Sequence, residues 1–150
     1  MRAAGRRVAR RTVMLGGAAL ALTLACGTAA QPTKPGPAAP GPAVNMTGRW
    51  LGGYVCGQGP TGLMLDITQE GQGLAAVFSF GPTPGNPGVP RGAFRMTGRV
   101  AADGSLRLHP AGWIRQPEGY EPVSLSGWVA GEVMHGRIEH PTCDDFMLTR

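Results

Sequence analysis

The sequence lacks the short motifs that mark the common catalytic, metal and cofactor sites. It has no Gly-x-Ser-x-Gly nucleophile elbow, no Cys-x-x-Cys pair, no His-Glu-x-x-His motif and no glycine-rich phosphate loop. An active site would therefore have to be assembled from residues that only the fold brings together. We predict a protein that is not an enzyme and that has no metal site and no cofactor.

The chain also lacks an apolar run long enough for a transmembrane helix. Residues 13–25 carry no charge, but as a helix they would span only about 20 Å of the roughly 30 Å hydrocarbon core. Five arginines and no acidic residue precede them in residues 1–11. A basic segment followed by a short apolar run is typical of a secretory signal peptide, which we predict over residues 1–25. An uncleaved membrane anchor is the alternative.

The chain has no excess of positive charge once the predicted signal peptide is removed. The full chain has 14 Lys and Arg against 9 Asp and Glu. Loss of the five N-terminal arginines leaves nine of each, so the mature chain is formally neutral. Because phosphate contacts need clustered basic side chains, we predict no nucleic-acid partner.

Cleavage after Ala25 would make Cys26 the first residue of the mature chain. The segment Leu22-Thr23-Leu24-Ala25-Cys26 resembles the lipobox of bacterial lipoproteins. That resemblance implies a diacylglyceryl group on the Cys26 sulfur and a lipid-anchored location in the cell envelope. Gly27 is not the Asp associated with inner-membrane retention, which favours the outer membrane where the cell has one. The alternative is an ordinary signal peptide followed by an incidental cysteine.

Residues 26–45 form a segment rich in Pro, Gly and Ala, with Lys34 as its single charge. It cannot bury apolar surface, and its prolines disfavour a helix. We predict an extended spacer, the tether, that reaches at most about 55 Å. Such a spacer would hold a folded domain, residues 46–150, clear of the membrane surface.

The domain lacks helical periodicity and instead alternates apolar and polar residues, as at Leu63, Leu65 and Ile67. Period-two alternation predicts antiparallel strands with one buried face, and short Gly-containing turns between them predict a meander. We therefore predict an all-β, eight-stranded antiparallel meander that forms a closed or partly closed barrel, with a sandwich as the alternative. The predicted strands are 47–56, 62–69, 74–80, 92–101, 105–109, 123–130, 133–139 and 145–149.

Only two cysteines remain when Cys26 is assigned to the lipid. An even pair in an exported domain predicts a disulfide between Cys56 and Cys143. In a closed meander this bond would join the first strand to the last. A metal site or reactive thiol is the alternative, which would draw on neighbours of Cys143: His135, His140, Asp144 and Asp145.

Gly48-Arg49-Trp50 at the start of the first strand resembles the Gly-x-Trp motif of the calycin barrels. The resemblance implies that Trp50 plugs one barrel end and that Arg150 packs beside it. Further blocks across 48–150, among them Trp113-Ile114, look like a small uncharacterised domain of secreted bacterial proteins that is sometimes appended to caspase-like peptidase domains. This second resemblance implies an accessory module and no known activity.

Two proline-containing loops are predicted, over residues 81–91 and 110–122. Stiff loops that carry aromatic residues are typical of binding surfaces, although these aromatics could instead fold back as a lid over the core. The candidate binding residues are Trp113, Ile114 and Tyr120 in the second loop, and Trp128 on the wet face of a strand.

Taken together, these features predict a membrane-tethered binding module whose partner is an envelope protein or a small apolar ligand. Two alternatives come from other classes. One is an inhibitor of a lysozyme or protease that attacks the envelope. The other is an envelope hydrolase, which would need His135, His140 and Asp144 in one cleft.

Overall fold

The computed structural model describes residues 44–150, which form eight antiparallel strands and no helix. The predicted signal peptide, Cys26 and most of the tether lie outside the described residues. The predicted all-β meander is confirmed, and hydrogen bonding between the first and last strands closes it into a barrel. The strands are β1 (Gly48–Cys56), β2 (Gly59–Glu70), β3 (Gly73–Gly81), β4 (Gly92–Val100), β5 (Ser105–Arg115), β6 (Ser124–Ala130), β7 (Val133–Glu139) and β8 (Asp145–Thr149).

Residues 44–150 contain no helix with the length and hydrophobicity needed to cross a membrane.

Closure depends on a close approach of β1 and β8, where four residue pairs form the seam. Gly52 pairs with Leu148, and a Cβ atom there would collide with the backbone carbonyl of Met147. A side chain at this position would therefore force the two strands apart. Because the seam pairs the backbone of both terminal strands, no sheet edge is left among the eight strands.

The barrel interior is packed with the inward-facing side chains that the alternation predicts. Phe78 and Phe94 stack at its centre with ring centroids 4.6 Å apart. Apolar side chains from every strand surround them, so the interior is a core and not an open channel. The largest fully buried side chains are Trp50, Phe78, Phe94, Phe146, Met46, Leu65, Met96, Leu108, Leu125, Met134, Ile138 and Leu148.

The prediction that residues 110–122 form a loop was wrong for its first half, because β5 continues to Arg115. Met96 of β4 pairs with Pro110, but Phe94 pairs with Trp113, so β5 has one extra residue between these pairs. Such a β-bulge tolerates a proline, which has no N–H to give to the ladder, and Gly112 within it has a φ of 110°. The connecting loop is therefore residues 116–123, and Trp113 and Ile114 are strand residues.

The other proline-containing loop, residues 81–91, is held against the β1–β2 turn. Thr83 and Asn86 form a two-residue bridge, and the Asn86 side-chain amide donates to the carbonyl of Gln58 at 2.7 Å. Val89 is buried in the core. β2 begins at Gly59, three residues before the predicted start, because Gly59, Pro60 and Thr61 pair with the end of β1.

Candidate binding site at the barrel mouth

The two ends of the barrel differ, and the end at which residues 44–47 join β1 is closed. Trp50 is 0% exposed there, and its indole N–H donates to the carbonyl of Met46 at 2.9 Å. The guanidinium carbon of Arg150 lies 4.7 Å from the centroid of the Trp50 ring, and its Nη1 donates to the carbonyl of Asn45 at 3.0 Å. We call this the entry end. The Arg150 guanidinium thus lies over the Trp50 ring at this end.

The opposite end, which we call the mouth, contains a recess of about 350 Å³. The side chains around it are aromatic: Tyr54, Phe80 and Tyr120 form the walls, and the fully buried Phe78 and Phe94 lie beneath them. Phe80 and Tyr120 are stacked with centroids 5.3 Å apart, and Tyr54 is tilted against Phe78 at 5.9 Å. The recess therefore offers flat apolar faces on more than one side.

Polar groups lie around the aromatic walls. Gln58, Glu121, His140 and Thr142 also line the recess. The Gln58 amide donates to the Thr61 hydroxyl at 3.0 Å, and His140 Nδ1 lies 3.0 Å from the Thr142 hydroxyl oxygen. A ligand group that entered between the rings could thus meet donors and acceptors near the rim.

Tyr54 supplies a further polar group from inside the barrel. Burial raises the pKa of Tyr54 well above its ordinary value of 10.0, the charge on an ionised Tyr120 raises it further, and a hydrogen bond with Gln58 opposes the shift. The Tyr54 hydroxyl therefore keeps its proton at any physiological pH. It is available as a neutral donor and not as a base.

The disulfide lies at the mouth. Cys56 ends β1, Cys143 lies two residues before β8, and the structure pairs them at disulfide distance, as the sequence predicted. Both cysteines line the recess. The bond therefore fixes the wall of the recess as well as the seam of the barrel.

Of the four candidate binding residues, only Tyr120 lines the recess. Trp113 lies behind it, half-buried, with its ring edge-on to Phe94 at 5.1 Å and to Phe80 at 6.5 Å. These two side chains thus fold back towards the core, which is the lid arrangement. Ile114 and Trp128 remain 50% and 55% exposed, away from the recess.

The cleft that a hydrolase would need is not formed by the predicted residues. His135 lies on the outside of β7, where its ring stacks on Trp128 at 5.3 Å. His140 lies at the mouth with Thr142. Among residues 44–150 there is no group of three His, Cys, Asp or Glu side chains that could hold a metal ion.

None of Tyr54, Phe78, Phe80 and Phe94 was predicted as a binding residue. Phe78, Phe80 and Phe94 belong to the predicted strands 74–80 and 92–101. The local pattern does not show in which direction each strand runs through the barrel. β1 and β3 run towards the mouth and β4 runs away from it. Aromatic residues near the ends of β1 and β3 and near the start of β4 therefore lie at the same end of the barrel.

No protein-family model matches this chain, and neither a curated protein nor a solved structure matches it.

Proposed function

We propose that this protein is a lipid-anchored binding module of the bacterial cell envelope that holds a small, flat apolar ligand in the mouth recess. The observation that carries the proposal is the set of five aromatic rings around that recess. Cys26 is the proposed site of the lipid, and the outer membrane is the proposed location where the cell has one.

The size and the lining of the recess favour a small ligand. Its volume of about 350 Å³ is at the lower end of the range of small-molecule sites, roughly 300–1,000 Å³. Aromatic rings bind flat groups by offset stacking or edge-to-face contact, and each such pair contributes about 0.5–1.5 kcal/mol beyond area burial. A ligand with one aromatic ring and one polar substituent fits both the walls and the polar rim.

The position of the tether supports the same function. Residues 44–47 join the barrel at the entry end, beside Trp50 and Arg150, whereas the recess opens at the mouth. A lipid on Cys26 would therefore hold the domain from the end that has no recess. The mouth would stay accessible to ligands.

Binding in the recess is tested with indole as the probe. We expect indole to shift the amide NMR resonances of residues around the recess, because its ring can pack against the aromatic walls. Tyr120→Ser removes one of these walls and should weaken indole binding about tenfold. Titration of both proteins, followed by NMR, measures the change.

Trp128→Ser is the matched control, since it removes an aromatic ring that lies outside the recess. Its affinity for indole should equal that of the wild type. Absence of indole shifts at the mouth, or equal weakening by both substitutions, would overturn the assignment of the recess.

The anchor is tested separately on the full chain expressed in a bacterial host. Mass spectrometry should show a mature protein that begins at Cys26 and carries acyl groups, and the protein should fractionate with membranes. Cys26→Ser should yield a chain without acyl groups. An unacylated wild-type N-terminus would contradict the lipid anchor. It would not affect the proposal for the recess, which the indole titration tests separately.

A further inference from the structure

The outside of the barrel carries a cluster of apolar side chains that the mouth recess does not explain. Six large hydrophobic residues are exposed among residues 44–150, and five of them lie on the adjacent strands β6, β7, β8 and β1. We call this surface the outer wall and define it by Leu51, Val55, Trp128, Val133 and Met147. The sixth residue, Ile114, lies on β5.

The strand register makes the outer wall continuous. Trp128 pairs with His135, and His135 pairs with Met147, so the three side chains lie side by side across β6, β7 and β8. In the next row Thr149 of β8 pairs with both Val133 and Leu51. Directly paired residues of antiparallel strands lie about 5 Å apart, and their side chains form one face. Leu51, Trp128, Val133 and Met147 therefore form one patch that also includes His135 and Thr149. Val55 lies on the same face of β1, two positions beyond Gly53, the partner of Met147.

Arginines border the patch on one side. Arg99 pairs with Arg107 across β4 and β5, and Arg137 follows on β7 beyond Ser126. The Arg107 and Arg137 side chains are 64% and 72% exposed, and each has a carboxylate oxygen at 3.6 Å, too far for a tight ion pair. Three guanidinium groups thus face two carboxylates, so the border is net positive.

This combination matches the chemistry of a membrane surface. Tryptophan is enriched at the level of the lipid headgroups, aliphatic side chains enter the acyl boundary, and arginine binds phosphate while its stem packs on apolar surface. The tryptophan, the aliphatic side chains and the arginines can all be explained without a protein partner.

The chain outside the structure points to the same occupant. Asn45 lies at the entry end, where its carbonyl accepts from Arg150, and Leu51 and Val133 lie on the strands at that end. This step rests on the proposed function, because a lipid on Cys26 would keep this end within the reach of the tether from the bilayer, at most about 55 Å. Leu51 and Val133 of the outer wall would then lie towards the end of the barrel to which the tether is attached.

We propose that the outer wall docks on the surface of a bilayer that contains anionic phospholipids. Docking would involve the side of the barrel, so the recess at the mouth would stay open to ligands. The lipid anchor and the outer wall would then be two separate signals for the same membrane.

The experiment uses the chain from residue 26 with Cys26→Ser, so that no acyl group contributes. The barrel is complete in this chain, since all eight strands and the disulfide lie within it. We expect it to co-sediment with vesicles of phosphatidylethanolamine and phosphatidylglycerol, and to bind phosphatidylcholine vesicles more weakly. Trp128→Ser should weaken binding to the anionic vesicles about tenfold.

Ile114→Ser is the matched control, because Ile114 is about as exposed as Trp128 but lies off the outer wall. It should leave vesicle binding unchanged. No binding to anionic vesicles, or equal effects of the two substitutions, would overturn the proposal. A dimer that sedimentation detects and Trp128→Ser abolishes would also overturn it and assign the patch to a second copy. None of these results depends on acylation of Cys26. Mass spectrometry of the full chain therefore tests the lipid anchor independently of vesicle binding.

Discussion

Replacement of both Cys56 and Cys143 by serine should lower the free energy of unfolding by about 4 kcal/mol. The bond joins residues 87 positions apart, and the chain-entropy treatment gives about 4–5 kcal/mol for a loop of that length. The loss should concentrate at the seam, because β8 has only five residues and pairs with β1 through four residue pairs. Urea denaturation of the wild type and the double variant measures the difference.

The double substitution leaves no unpaired thiol at the mouth and so separates the loss of the bond from thiol chemistry. Cys26→Ser in the same assay is the control, and it should not change stability, since this residue precedes the barrel. A loss below about 1 kcal/mol would mean that the barrel seam closes without the bond. Because both cysteines line the recess, we also expect the double variant to bind indole less tightly.

The local sequence pattern was sufficient to predict the strands and their order. Alternation and the turn residues between the alternating runs together predicted eight strands, and the short turns predicted the meander. The pairing of Cys56 with Cys143 was predicted from the number of cysteines, and closure of the meander, which brings β1 and β8 together, is consistent with it. The end of β5 was not predictable in this way, because a bulge after Pro110 adds a residue to one strand only, and alternation cannot show that pairing resumes at Trp113.

The mouth recess and the outer wall could not be predicted from any single segment of the sequence. The recess depends on strand direction and on a loop that turns inward, which places Tyr120 on Phe80. Parity alone predicted that Trp128 faces outward. That Met147 lies two strands away in the same row depends on the register of β6, β7 and β8, which is set by the whole closed sheet.

Trp50→Ala should destabilise the domain by about 3–5 kcal/mol, the usual cost of removing a large, fully buried aromatic side chain. Trp50 is 0% exposed, and its indole N–H holds the carbonyl of Met46. The substitution would leave a cavity at the entry end and remove the ring over which the Arg150 guanidinium lies. Thermal and urea unfolding of the variant measure the loss.

Trp128→Ala is the matched comparison for this prediction, because the same residue type is 55% exposed there, on the outer wall. Its effect on stability should stay within about 0.5 kcal/mol, as is usual for surface substitutions. A small domain is stable by about 5–15 kcal/mol, so Trp50→Ala should still fold at low temperature. Since the recess lies at the other end of the barrel, the folded variant should keep its affinity for indole. Equal destabilisation by the two substitutions would show that Trp50 does not plug the barrel, and loss of indole binding in folded Trp50→Ala would show that the two ends are coupled.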